Sequence, residues 1–351
     1  MTTETRGIDS YQPAGAGQPI PALIAVPDPA RASLFDTVQW LQRNRSELLG
    51  TVRSRGAVLL RGLPVTAPSE VAALRDTLFG QVTGPREPFA RRDALGYGLY
   101  SDLHWSAGQL LCPQHEQSYR LSFPQLLLLA CLQPPATGGQ SLLADGRQVL
   151  SRLPATLAER LRTHGWIMVR HFRDRFGVPW QEAFGATDPG ELESTLDREL
   201  IGHRWLADGV LRTFRQRAAV VHHPVDGQAC WFNHAAFFNE YGLGLDPQER
   251  QVLREAFGPT GLTLNTLIGD GTPFTPAEVA TIERVYDELT VPVELGAGDL
   301  LVLDNIAVAH GRRPYTGRRV VAVAMGDPVS LASCRPTVQP SAGPPVGAGE
   351  G

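Results

Sequence analysis

A chain of 351 residues with 42% apolar side chains holds enough core for one large domain or two modest ones. Its formal charge of −4, with the basic residues dispersed, excludes an electrostatic nucleic-acid surface, and no nucleic-acid partner is expected. The longest apolar run, Leu126 to Leu132, is far too short to span a bilayer, so no membrane partner is expected either.

In chain order, residues 1–20 are rich in Gly, Pro, Gln and Thr and are expected to be flexible; they lack the basic-then-apolar pattern of a signal peptide. Leu34 to Val52 has helical spacing with Ser33 as its N-cap, Ala57 to Gly62 reads as a strand, and Pro68 to Phe79 as a helix opened by proline and an acid. Phe123 to Leu132 reads as a buried strand, Asp145 to Arg162 as a helix broken at Pro154, and Trp166 to Phe172 as a strand. Pro189 to Leu200 and Asp246 to Phe257 read as surface helices, and Glu278 to Leu289 as an inserted helix. The second half is otherwise short strands between Gly and Pro turns: Leu211 to Val221, Ala229 to Asn233, Val291 to Leu295, Leu300 to Leu303 and Val320 to Met325, with Asp226-Gly227 as a hairpin turn. Residues 335–351, rich in Pro and Gly, are expected to form a disordered tail. Between the flexible ends a single domain over 21–334 is expected. Many short strands with helical insertions and flanking helices predict an α+β, mainly β, fold on a double-stranded β-helix (jelly roll) core; a general α+β domain is the competing reading. Cys112, Cys131, Cys230 and Cys334 lie far apart without a CxxC pair, which suits reduced thiols in the cytoplasm.

The chemistry concentrates at two distant places. His310 is followed nine residues later by Arg319, an imidazole that can hold a transition metal near a guanidinium that can grip a carboxylate with two prongs. Far upstream, Pro113-Gln-His-Glu-Gln-Ser-Tyr119 sets the imidazole of His115 beside the carboxylate of Glu116. Two histidines, one carboxylate and open positions form the ligand set of non-haem Fe(II) oxygenases, although a His-Glu pair in a loop is more often surface decoration. Gly138-Gly139-Gln-Ser141 puts a hydroxyl after a tight glycine turn, where it either meets a carboxylate near the metal or simply ends a loop. Trp231-Phe-Asn-His234 suits either a pocket wall or a capped strand end.

Together with Phe176-Gly-Val-Pro-Trp180, Leu211-Arg-Thr213, His223-Pro224, Gly296-Ala-Gly-Asp299 and Asp304-Asn305, these segments resemble the taurine-dioxygenase-like (TauD/TfdA) family of Fe(II)/2-oxoglutarate-dependent oxygenases over roughly residues 55–330. Within it the chain looks closest to the SyrP-like hydroxylases of peptide natural-product pathways. The resemblance implies iron and 2-oxoglutarate as cofactors and His115, Glu116 and His310 as nominal metal ligands. It implies Arg319 and Ser141 on the cosubstrate, Asn233 facing the substrate, and Arg312 either on the substrate or in a surface ion pair. His223 takes a structural role. No catalytic side chain beyond the metal centre is implied. The reaction would be hydroxylation of an unactivated carbon in an amino acid, free or carried as a thioester on a carrier protein, for antibiotic or related biosynthesis.

The chain departs from the family's His-x-Asp/Glu motif. If Ser118-Tyr119 fix the register, Glu116 is the carboxylate and Gln114 replaces the first histidine; if His115 is the ligand, Gln117 replaces the carboxylate. Adjacent residues on an extended strand point oppositely, so both registers stay open. Neither Glu116 nor Gln117 is small, which disfavours halogenation. A barrel that lost catalysis, or one that desaturates or cyclises, is the alternative.

Overall fold

The computed structural model describes residues 20–173, 177–206, 209–242, 247–257 and 262–343. The expected flexible N-terminus lies, but for Ile20, outside the described residues, as do Phe176, Asp246 and residues 344–351.

The strand Ser122–Gln133 organises the molecule. Leu127, Leu129 and Cys131 are buried on one of its faces and Leu126, Leu128 and Ala130 on the other, so both faces need a cover. It sits inside a sheet ordered Ala22–Ile24, Ala57–Leu60, Leu300–Asp304, Ser122–Gln133, Val320–Ser330, Leu99–Tyr100 and Ala94–Gly96, with Val82–Thr83 pairing Val320–Ser330 as well. The helices Leu34–Arg55 and Pro68–Leu78 cover the outer face. The first starts at Ser33, whose hydroxyl accepts from the Asp36 amide at 3.2 Å.

A second sheet, ordered Val291–Val293, Ser141–Asp145, Val308–Arg312 and Leu111–Gln114, covers the inner face. Leu59, Leu127, Leu129, Leu301, Leu303, Val323 and Met325 from the large sheet close on Leu143, Val293 and Val308 from the small one. Each such side chain contributes about 1.5–3 kcal/mol by leaving water. Two sheets closed face to face in this order, with helices inserted between strands, are the jelly roll with flanking helices that the strand pattern predicts.

The insertion between Ser141–Asp145 and Val291–Val293 supplies a third sheet, ordered Gly202–Trp205, Leu211–Arg217, Trp166–Phe172 and Leu264–Ile268, and a hairpin, Val220–His222 with Ala229–Trp231. The single strand expected over 211–221 is thus two, interrupted at Ala218 and Ala219. The expected tail is held along part of its length: the Thr337 amide donates to the Val220 carbonyl, and Ser341 bridges Gln216. All four cysteines are free thiols. Among the described residues no helix is long and apolar enough to cross a membrane.

Candidate active site

One end of the barrel interior is polar. Residues two apart on a strand share a face, and residues paired across a ladder share a face as well. On Val308–Arg312 the inward row is therefore Val308, His310 and Arg312. His310 pairs with Leu143 on one side and Gln114 on the other, and Arg312 pairs with Ser141. Arg319 stands just before the strand Val320–Ser330, whose Val321 and Val323 face inward. Apolar residues plug the barrel at Val308 and Leu143; beyond them stand His310, Gln114, Ser141, Arg312 and Arg319.

Glu116 reaches the same region because Asn305 holds its backbone. The Glu116 amide donates to Asn305 Oδ1 at 2.6 Å, and Asn305 Nδ2 donates to the carbonyls of Glu116 at 3.0 Å and Pro124 at 2.8 Å. The Glu116 carboxylate pairs with Arg92 at 2.8 Å, both side chains being buried. Burial disfavours the charged His310 imidazole and keeps its pKa below the usual value, against the nearby charge of Glu116.

A carboxylate of the chain itself meets the two arginines. Asp102, on the segment between Leu99–Tyr100 and Leu111–Gln114, accepts from Arg319 at 2.5 Å and lies 3.8 Å from Arg312. Burial opposes ionisation of Asp102, yet the charges of Arg319, Arg92 and Arg312 hold its carboxyl below the ordinary range. Arg312 is no surface residue: it is buried, donates to the Ser106 carbonyl at 3.2 Å and stacks over Tyr315. The surface ion pair considered for it is replaced by this one between a buried guanidinium and a half-buried carboxylate, because the 101–106 segment folds across the barrel mouth.

Gln114, not His115, is the residue brought to His310. The His115 ring turns to the other side of the strand end. There its Nδ1 donates to the Asn305 carbonyl at 2.7 Å and its plane packs 5.0 Å from Phe232. Burial pushes its pKa down to about 4, so it stays neutral. The strand ends at Gln114 and residues 116–119 form a turn; with His115 Nδ1 held by the Asn305 carbonyl and Gln114 paired beside His310, the place given to His115 among the nominal ligands passes to Gln114 as the candidate. Gln117 takes a left-handed turn at φ 58° and donates to the Gly84 carbonyl, away from a ligand position. Asn233 does not face a substrate either, since its Nδ2 donates to the Ala219 carbonyl and its Oδ1 accepts from the Ala235 amide, both at 2.9 Å.

His234 lies behind Gln114. Its Nε2 donates to Gln114 Oε1 at 3.0 Å and its Nδ1 accepts from the Ser118 hydroxyl at 2.6 Å. Burial keeps it neutral, with a pKa well below the usual value. The Gln114 amide therefore turns its NH2, not its oxygen, away from His234. Turning the amide over, with His234 in its other tautomer, keeps both hydrogen bonds and presents the oxygen instead.

Buried polar atoms around this cleft without a hydrogen-bond partner among the described residues are Gln114 Nε2, His115 Nε2, Ser141 Oγ, His310 Nδ1 and Arg312 Nη1. Buried polar groups are nearly always paired, so such a cluster marks a place built for a ligand. Among the described residues no three His, Cys, Asp or Glu side chains gather as a metal site. The donors available here are of the type a transition metal takes, an imidazole at His310 and a carboxylate at Glu116, with the Gln114 oxygen presented after that turn. Asp102 and Arg92 escaped the sequence reading, and His234 entered it only as the end of the Trp231–His234 segment. The Asp102–Arg319 contact spans 217 positions, and no local pattern announces it.

Residues 17–325 match the family model described as taurine catabolism dioxygenase TauD, TfdA family. The dapdiamide synthesis protein DdaC of Enterobacter agglomerans is 31% identical over 278 residues, covering 78% of this chain and 83% of its own length. A clavaminate synthase-like protein of Arabidopsis thaliana is 25% identical over 324 residues, 87% of this chain and 93% of its own. A crystal structure of a taurine dioxygenase from Burkholderia xenovorans aligns at 16% identity over 85% of each chain, with a TM-score of 0.45. The extent of the family match and the 31% identity place the chain: it belongs to the TauD/TfdA dioxygenase family.

Proposed function

We propose that the chain is an Fe(II)- and 2-oxoglutarate-dependent oxygenase that hydroxylates an unactivated carbon of an amino acid, free or carried on a carrier protein, in natural-product biosynthesis. The observation that carries this reading is the inward cleft, where His310, Gln114 and Ser141 leave buried polar atoms unpaired beside the Arg312–Arg319 pair. A relative concerned with dapdiamide synthesis supports the biosynthetic setting.

Glu116 and His310 would hold the metal, with the Gln114 oxygen at the third position. Arg319, backed by Arg312, would grip the distal carboxylate of the cosubstrate, and the Ser141 hydroxyl would donate to a nearby oxygen. Bound ferrous iron with this cosubstrate supplies the activation of dioxygen; the chain orients the reactants and excludes water. Among the described residues Arg92, Arg312 and Arg319 pair with Asp102 and Glu116 in the cleft, an excess of positive charge before any metal enters. A dianion offsets that excess, so metal and cosubstrate should bind together better than the metal alone.

Anaerobic titration with Fe(II) and 2-oxoglutarate tests the reading. A visible charge-transfer band is expected from the full chain and is expected to vanish in His310→Ala. In Arg319→Leu the band should need at least about tenfold more 2-oxoglutarate, about 1.4 kcal/mol, with Fe(II) affinity unchanged. A folded protein that gives no band rejects the proposal. A barrel without catalysis, or one that desaturates or cyclises, is the second reading. It is favoured by the amide at position 114 and by Asp102 already seated on Arg319.

A further inference from the structure

A cavity of about 300 Å³ opens beside the cleft, between the Leu111–Gln114 strand, the segment 236–242 and the helix Pro276–Leu289. Its size is that of a small-ligand site. Trp105, Phe237 and Tyr286 form its walls, and Leu110, 43% exposed, stands among its lining residues. The rings of Trp105 and Phe237 lie 5.8 Å apart.

Two carboxylates break this apolar lining. Glu283 and Asp287 stand one turn apart on the helix and line the same cavity. Neither has a hydrogen-bond or ion-pair partner among the described residues, and no arginine or histidine is among the lining residues. Burial, then the charge of Asp287, raises the Glu283 carboxyl to about 7, and Arg250 offsets this only in part. Glu283 is half-buried and costly without a partner unless a cation joins it, and Asp287, exposed at the rim one turn away, adds its charge to the same cavity. A compact ammonium suits both surfaces, since it pairs with carboxylates and is attracted to the faces of aromatic rings.

We propose that this cavity binds a primary ammonium group carried on an apolar chain, with Glu283 and Asp287 as its counter-charges and Trp105, Phe237 and Tyr286 around its carbon body. The cavity is one layer from the candidate active site. The Phe237 ring lies 5.9 Å from His234, which holds Gln114, and the Trp105 carbonyl lies 3.5 Å from Arg312 Nη2. That the bound amine belongs to the oxygenase's substrate rests on the function proposed above; the preference for an ammonium does not.

The test is calorimetric titration of the full chain, free of iron, with hexylammonium, 1-hexanol and hexanoate as probes. Hexylammonium should bind at one site at least about tenfold more tightly than hexanol, with hexanoate weakest. Glu283→Gln combined with Asp287→Asn should weaken hexylammonium by about tenfold or more and leave hexanol unchanged, with the circular dichroism spectrum preserved. Equal binding of hexanol and hexylammonium, or no binding of hexylammonium, overturns the proposal. The probe comparison on the unaltered chain decides even if the double variant misfolds. Hexylammonium binding without the Fe(II)–2-oxoglutarate band leaves the cavity assigned and removes the oxygenase reading. The band without amine binding does the reverse.

Discussion

Gln114 decides how far this chain can act as its family does. The amide stands at the position paired with His310, and its oxygen is taken by His234. An amide oxygen is a weaker donor to Fe(II) than an imidazole nitrogen, and here it must first be turned over. Gln114→His should therefore tighten Fe(II) binding by at least about tenfold, near 1.4 kcal/mol, read by anaerobic metal titration. An unchanged affinity would place the third ligand elsewhere. Asp102 poses a different question on the same side chains. Its carboxylate sits where the cosubstrate's distal carboxylate is proposed to bind, so the two compete for Arg319. Asp102→Asn should lower the melting temperature of the ligand-free chain, because the arginines lose a counter-charge. It should also raise the temperature gain on adding 2-oxoglutarate, with binding tightened several-fold, up to about 1.4 kcal/mol. A smaller gain than in the unaltered chain would show that Asp102 helps to shape the clamp instead of filling it.

At the scale of elements, the site depends on how closely two strands approach. Leu111–Gln114 lies against Val308–Arg312 only because position 311 has no side chain: a Cβ there would meet the Leu111 carbonyl oxygen at 2.4 Å and the Pro113 nitrogen at 2.8 Å. Those atoms are backbone and cannot step aside alone. Gly311→Ala should push the strands apart, weaken metal binding by more than about tenfold and lower stability by about 1–3 kcal/mol, measured by metal titration and urea unfolding. These strands also show what was legible in advance. Periodicity and caps disclosed the long elements, such as the helix behind Ser33 and the helix Pro276–Leu289, because a buried face repeats along the chain. The candidate residues His310, Ser141 and Arg319 were readable as candidates by their chemistry, Ser141 at a strand start and Arg319 just before one, while His310 stands in mid-strand. The register of residues 114–117 was not, since it is fixed by Asn305 across 189 positions of chain. The segment 84–110 was missed for the same reason. Its strands Ala94–Gly96 and Leu99–Tyr100 are too short to carry a period, and Arg92 and Asp102 find their partners across the barrel mouth.

Over the whole molecule, the cleft has one wall from the barrel and another from the insertion, and a buried ion pair is among the contacts that tie them. The hairpin Val220–His222 with Ala229–Trp231 leads directly into His234 and Phe237. His223, beside that hairpin, donates from Nε2 to Asp304 Oδ2 at 2.9 Å, at the end of the barrel strand Leu300–Asp304. The other oxygen of Asp304 accepts from the Ile306 and Ala307 amides at 2.9 and 3.2 Å, which starts the turn toward His310. Burial disfavours the His223 cation, but the hydrogen bond and charge of Asp304, with Asp226 adding to them, outweigh it and raise the pKa above 6.5. A raised pKa in the folded state means that protonation favours folding. The contribution is complete below the unfolded value near 6.5 and is lost as the pH rises through the folded one. His223→Gln keeps a neutral donor toward Asp304 but cannot carry the charge. Comparing melting temperatures of the two chains removes the pH response they share. The unaltered chain should exceed His223→Gln by more at pH 5.5 than at pH 9, by about 2–4 °C for each 1 kcal/mol contributed. An equal difference at both values would show that shape and hydrogen bonding, and not charge, hold the insertion to the barrel.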